Sequence, residues 1–209
     1  MACGAIINAN NAGLPPELDD VTLNCRYVYR PPFQVPDKER KFGNLTLTYA
    51  TQIHACVVEV DPETGVYEIV DYAAVDDCGK RIHPQIVEGQ VHGATAHAIG
   101  AATHEQFPYD EEGNLLTANF YDYHVPHAMD MPPLRTGHLE SPSPMNSLGT
   151  KGMGEGGGAG VHAFCAAIQD ALRPLGAPIV DDSCNPYHRV WETIRDPERS
   201  RSLVRVETR

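Results

Sequence analysis

The 209 residues carry 16 basic and 28 acidic side chains, a formal net charge of −12, and 42% of them are apolar. That is enough apolar content for a core, and scattered acidity argues against nucleic acid or an anionic membrane surface as a partner. No apolar run approaches the roughly 20 residues of a membrane span. The start, MACGAIINANNAG, lacks the basic n-region and long apolar stretch of a signal peptide, so the chain reads as cytoplasmic.

Residues 1–45 read as an N-terminal arm or interface segment, and 46–209 as one domain. The arm is irregular through Arg40, broken by Pro15-Pro16, Pro31-Pro32 and Pro36, with a short helix possible near its start. A hairpin follows. LTLTYATQIHACVVEV and VYEIVDYAAV are strand-like, and the intervening Asp61-Pro62-Glu63-Thr64-Gly65 has the Pro-early, Gly-late chemistry of a turn. His83-Pro84 opens a helix with proline near its first position. Val87, Val91, Ala94, Ala98 and Ala102 mark its apolar stripe, while Gln90, Gly93 and His97 share another face. A second small hairpin is expected around Tyr109–Asn114. LRTGHLE reads as a short strand, and SPSPMNSLG as a loop. Strands and helices interleave with hairpins, which predicts an α+β fold: a mixed, partly antiparallel sheet with packed helices.

The run Ser147–Gly160, SLGTKGMGEGGGAG, holds seven glycines in 14 residues. Such density costs entropy on ordering and needs a reason, usually backbone that approaches a ligand closely at φ angles other residues avoid. VHAFCAAIQDAL then has helical periodicity in Val161, Phe164, Cys165, Ile168 and Leu172. Glu155 therefore sits in a glycine-lined loop feeding a helix N-terminus. A glutamate at a helix start can simply complement the macrodipole, but that role alone does not call for glycines on both sides.

Other motifs weigh less. Gly152-x-Gly154-x-x-Gly157 matches a dinucleotide fingerprint in spacing, but no strand pattern precedes it, although Asp181 and Asp182 follow at the end of APIVDD. Lys151 is not in a Walker GK[ST] context. The six cysteines form no CxxC pair and fit neither a zinc ribbon nor an iron–sulfur cluster; Cys56 and Cys165 fall in apolar runs and read as core. HExxH is absent, His104-Glu105 has no partner histidine, and His124 and His127 stand at i, i+3 with no third ligand nearby in sequence, so no metal ligand is expected.

Four segments in order carry a resemblance: VVEVDPETGVYEIVDYAAVDDCGKRIHPQIVEGQVHG, YDEEGNLLTANFYDYHVP, HLESPSPMNSLGTKGMGEGG and the trailing helix with its DAL. Together, over roughly residues 46–195, they resemble the C-terminal part of the molybdopterin-binding large subunit of the xanthine oxidase family of molybdenum hydroxylases. The fold implied is that of the family's second molybdopterin-binding domain. The resemblance implies molybdenum on molybdopterin, in bacteria usually the cytosine dinucleotide form. It makes Glu155, the glutamate of KGxGE, the general base that takes a proton from a metal-bound hydroxyl as water-derived oxygen is added to an electron-poor carbon. It makes Gln90 of GQVHG a pterin contact and places Lys151, Gly152, Met153 and Gly154 along the same pocket. Electrons would leave through iron–sulfur clusters and FAD on partner subunits.

A helix N-terminus behind Glu155, and Lys151 if it points inward, would favour the ionised carboxylate that a base requires. The family's upstream glycine-phenylalanine-glycine loop and arginine-bearing substrate motif are not in this chain, and a complete large subunit is several times longer. The expectation is therefore a split subunit, active only with the chain that carries the upstream half. Two alternatives stand beside it. One is a same-fold molybdenum hydratase adding water to an activated double bond. The other is a non-catalytic, cofactor-holding subunit, which the intact KGMGE disfavours.

Overall fold

The computed structural model describes residues 28, 36–43, 46, 48–177 and 184–197. Two compact units divide the chain, Met1–Leu47 and Thr48–Arg209. Of the first, the described part is a turn in which Asp37 Oδ1 accepts the Glu39 and Arg40 amides at 2.9 and 2.8 Å. The helix expected near the start of the chain, Cys3, Cys25, Asp181 and Asp182 lie outside the described residues, as does most of the expected arm.

In the second unit, β1 (Thr51–Val60) and β2 (Tyr67–Asp77) form the expected antiparallel hairpin. The turn closes because Gly65 takes a φ of +73° and donates its amide to the Asp61 carbonyl at 2.8 Å, while Asp61 holds the Thr64 hydroxyl at 2.6 Å. β1 begins at Thr51, later than its strand-like pattern suggests. β3 (Leu134–His138) adds to β2 in parallel, so the sheet is mixed with order β1-β2-β3.

Along β1 the alternation is clean. Gln52, His54, Cys56, Val58 and Val60 face inward, while Ile53 and Val57 point out. On β2 a bulge intervenes: Val57 pairs with Asp71 but Val58 pairs with Ile69, leaving Val70 as the extra residue. The slip changes which parity faces the core. Tyr67 and Ile69 point inward before it, and Tyr72, Ala74 and Asp76 after it.

α1 (Pro84–Thr103) starts as expected, with Pro84 in its first turn and the His83 side chain accepting the Ile86 amide at 3.3 Å. Its buried face is rotated from the expected stripe. Val91, Ala98 and Ala102 are buried as expected, but Thr95, Ile99 and Thr103 join them while Val87 and Ala94 are only half-buried. A stripe read from apolarity alone overlooks the threonines: Thr103 satisfies its hydroxyl on the Ile99 carbonyl at 2.8 Å, within its own helix.

α2 (Gly160–Leu172) packs on β1 and on α1, and α3 (Tyr187–Arg195) closes the core through Val190. One apolar cluster gathers Tyr67, Ala102, Phe164, Ile168, Leu172 and Val190, and a second gathers Tyr72, Ala74, Val91 and Ile99. Cys165 lies within the first and Cys56 packs against both, where burial pushes the Cys56 thiol up to about 12. The second hairpin expected around Tyr109–Asn114 is not formed as strands. A single bridge joins Tyr109 to Leu115 across a turn whose Gly113 has a φ of +84°. Asp110 supplies the reason: its carboxylate takes both the amide and the side chain of Asn114, at 2.7 and 2.9 Å, and so tightens the turn without extending a ladder.

Candidate functional site

The glycine run leaves the sheet region through a bridge between Gly79 and Thr150 and enters α2. Among its glycines only Gly149 has a positive φ, +70°. The expectation of unusual backbone angles along the run is therefore corrected: from Gly152 to Gly160 the glycines serve space, not conformation. Some are needed by the protein itself. A Cβ on Gly160 would stand 2.8 Å from the Tyr72 hydroxyl and 2.9 Å from the Ala98 Cβ. Gly152 has nothing within 4 Å of its Cβ position, and Gly154 only the Gln90 amide nitrogen at 4.0 Å.

Two side-chain amides pin this loop from different elements. Gln52, on the inner face of β1, donates Nε2 to the Glu155 carbonyl at 2.7 Å. Gln90, on α1, donates Nε2 to the Gly154 carbonyl at 3.0 Å. Gly158 donates its amide to the same Glu155 carbonyl at 3.1 Å. The main chain at Glu155 is thus held while its carboxylate stays exposed, with no hydrogen bond or ion pair among the described residues. Glu155 borders a recess of about 590 Å³ lined also by Tyr49, Gln52, Gly152, Met153, Gly154 and Gly158, among others. Met153 contributes differently from its neighbours, because its side chain packs back against the cluster of Tyr72 and Val91.

Lys151 departs from the expected arrangement. Its ammonium reaches Ser141 Oγ at 2.8 Å and Asp77 Oδ1 at 3.4 Å, and its amide donates to the Cys78 carbonyl at 2.7 Å. The charge is committed to the end of β2, and Lys151 is not among the residues lining the recess. The conditional expectation that it supports the Glu155 carboxylate is withdrawn; the opposite charge at Asp77 holds it elsewhere.

Asp77 anchors this side of the loop. The Ser141 hydroxyl bonds its carboxylate most strongly; against the cost of burial, that bond, the Gly79 and Ser141 amides and Lys151 hold its pKa well below the ordinary carboxylate range. A folded pKa below the unfolded value means stability that is present above about pH 4 and lost as pH falls through the folded value. Replacing Ser141 by Ala removes the largest of these interactions. Acid unfolding followed by circular dichroism is expected to begin at higher pH than in the wild type, with no difference near neutrality in its pH dependence. An unchanged acid limb would remove Asp77 as an acid-stability anchor.

Next to it, the buried His138 ring bonds Asp76 through Nδ1 at 2.7 Å and the Gly79 carbonyl through Nε2 at 3.1 Å. A carbonyl can only accept, so Nε2 carries a hydrogen. β2, β3 and the Gly79 turn are thereby tied together beneath the glycine run.

Sequence reasoning located the loop, Gln90 and the DDCG turn, but it missed Gln52, Ser141 and His138. Gln52 carried a signal: a polar residue on the strand face that also bears Cys56, Val58 and Val60. Ser141 and His138 carried none, since only the parallel pairing of β3 brings them to β2.

The amides of Gly152, Met153 and Gly154, three residues that line the recess, meet no acceptor among the described residues. A row of free donors beside open space at Gly152 suits a ligand rich in oxygen or sulfur acceptors.

Comparison with known proteins bears on what that ligand is. A model of the molybdopterin cofactor-binding domain matches residues 3–132, well over half of the chain, and ends before the glycine run. The carbon monoxide dehydrogenase large chain of Hydrogenophaga pseudoflava is 36% identical over 186 residues, 88% of this chain and 21% of its own. The nicotine 6-hydroxylase large subunit of Paenarthrobacter nicotinovorans is 42% identical over 141 residues, 67% of this chain and 17% of its own. Among solved structures, reconstituted CO dehydrogenase from Oligotropha carboxidovorans superposes with a TM-score of 0.68 at 37% identity, over 71% of this chain and 18% of that one. This chain thus spans about a fifth of the length of the curated relatives it matches. A donor-lined recess, the shared sheet-and-helix fold and the matched domain agree: the chain belongs to the molybdopterin cofactor-binding domain family, within the xanthine oxidase group of molybdenum hydroxylases.

Proposed function

We propose that this chain supplies the active-site base, Glu155, and one wall of the molybdopterin pocket to a molybdenum-dependent hydroxylase or dehydrogenase. The observation that carries the reading is Glu155: an exposed residue lining a recess of about 590 Å³, its carboxylate unpaired among the described residues and its backbone fixed by Gln52 and Gly158. The free amides from Gly152 to Gly154 would hold the cofactor by donating to its acceptors. Gln90, whose Nε2 is used on Gly154, keeps its carbonyl oxygen available for a pterin N–H. When bound, the cofactor supplies the two-electron oxidation and the activation of water.

The work of this chain is positional and protolytic. Gln52 and Gln90 fix the loop, so Glu155 meets the reacting centre without first ordering its own backbone. Its carboxylate oxygen accepts a proton as water-derived oxygen is added to an electron-poor carbon of a small molecule. The chain would act with an upstream part of the large subunit on another chain, and with iron–sulfur and FAD subunits taking the electrons. The outer sheet face supports such a partner, since Ile53 and Val57 are 64% and 52% exposed there. The cofactor would be the cytosine dinucleotide form, in a cytoplasmic complex.

The test is metal and nucleotide content of the natively purified assembly. One molybdenum per copy of this chain, with cytidine monophosphate released by acid, is the expected result. An assembly without molybdenum would overturn the reading, and a different released nucleotide would correct the cofactor form.

A further inference from the structure

Spacing in the sequence gives His124 and His127 no third ligand, but the fold supplies one. A short 3-10 turn, Ala128–Asp130, brings the Asp130 carboxylate back between the two rings. Asp130 Oδ2 lies 2.8 Å from His127 Nδ1 and 3.3 Å from His124 Nε2, and the ligand atoms of all three residues fall within 4.8 Å of one another. Adjacent donors on a tetrahedral zinc-sized ion are separated by roughly 3.3 Å, since each bond is about 2.0–2.1 Å. The cluster is close to that spacing. The carboxylate is aimed from behind by the His127 amide, which donates to Asp130 Oδ2 at 2.9 Å.

The surroundings favour an ion over a plain hydrogen-bonded cluster. His124 and Asp130 line a separate cavity of about 300 Å³, together with His104, Tyr67 and Tyr187. That space leaves room for water or a small ligand at a position the three side chains do not fill. His104 sets the His124 ring by packing against it edge-on, centroids 5.2 Å apart. His124 Nε2 and His127 Nδ1 already face Asp130, and an ion would take the place of the hydrogen bonds they make there, the Asp130 amide on the His127 ring included.

We propose that His124, His127 and Asp130 bind a divalent transition-metal ion of the zinc class, at a site distinct from the molybdopterin recess. Two imidazoles and one carboxylate with an open position suit such an ion, and the set contains no thiolate.

The test uses the full chain as purified and Co²⁺, then Zn²⁺, as probes. The expected result is one equivalent of Co²⁺ with a d–d spectrum and no thiolate charge-transfer band, displaced by Zn²⁺. His127→Ala, at a side chain that is 64% exposed and lies outside both apolar clusters, should weaken Zn²⁺ at least roughly 100-fold, more than loss of an outer-shell partner costs. Asp130→Asn should weaken it by a similar factor. A thiolate band that survives His127→Ala places the metal on cysteines and overturns the proposal. Unchanged affinity in both variants, or no uptake by the wild type, overturns it equally.

Discussion

Glu155→Gln is expected to leave the assembly intact and loaded with molybdenum while turnover falls by about 10²–10⁴, the range that general-base catalysis contributes. The substitution isolates the chemistry because the fold does not use this carboxylate. Among the described residues, the hydrogen bonds of Glu155 run only through its backbone carbonyl, which accepts Gln52 and Gly158. Glutamine keeps shape and hydrogen-bonding capacity but cannot hold the transferred proton. Unfolding free energy should therefore change by no more than about 0.5 kcal/mol, the span typical of surface changes. Steady-state kinetics beside molybdenum analysis separates the outcomes. Normal turnover would remove Glu155 as the base. Lost molybdenum would make it a residue that holds the cofactor instead.

The contrast with Lys151 shows how far the sequence could be read. Both residues stand in one short motif, and proximity in sequence suggests a shared pocket. The structure separates them because Lys151 finds an opposite charge at Asp77 and a hydroxyl at Ser141, across 74 and 10 residues. Local pattern carries turn chemistry, helix starts and strand alternation, and Asp61–Gly65, His83-Pro84 and β1 were legible for that reason. Long-range pairing leaves no local trace. β3 running parallel to β2, the rotation of α1 towards Thr95 and Ile99, and Asp130 turning back onto two histidines each needed three dimensions. The bulge at Val70 makes the same point. Its sequence reads as uninterrupted strand, yet the slip decides whether Asp76 faces the core or the solvent.

Within the glycine run, two positions should respond to alanine in opposite ways. At Gly157 a Cβ would stand 2.0 Å from the Thr95 amide nitrogen and 2.4 Å from the Ala94 carbonyl carbon. Both atoms are α1 backbone, which cannot swing aside as a side chain can. The loop or the helix must move, at the upper end of the about 1–3 kcal/mol typical of overpacking or beyond it. For a chain of this size that lowers the melting temperature by roughly 2–4 °C per kcal/mol. Because Gly157 seats the loop on the helix that carries Gln90, the displacement should also reduce turnover. At Gly152 nothing lies within 4 Å of the Cβ position, and its φ is not positive. Alanine there should leave stability unchanged or raise it by about 0.4–1 kcal/mol through the unfolded state. It nevertheless adds a methyl group to a residue lining the recess, so molybdenum content should fall. Thermal melts with metal analysis on both variants read the two effects separately. A tolerated Gly157→Ala would contradict the close seating of the loop on α1. Full molybdenum loading in Gly152→Ala would show that the open space beside that glycine is not where the cofactor lies, even if Glu155 proves to be the base.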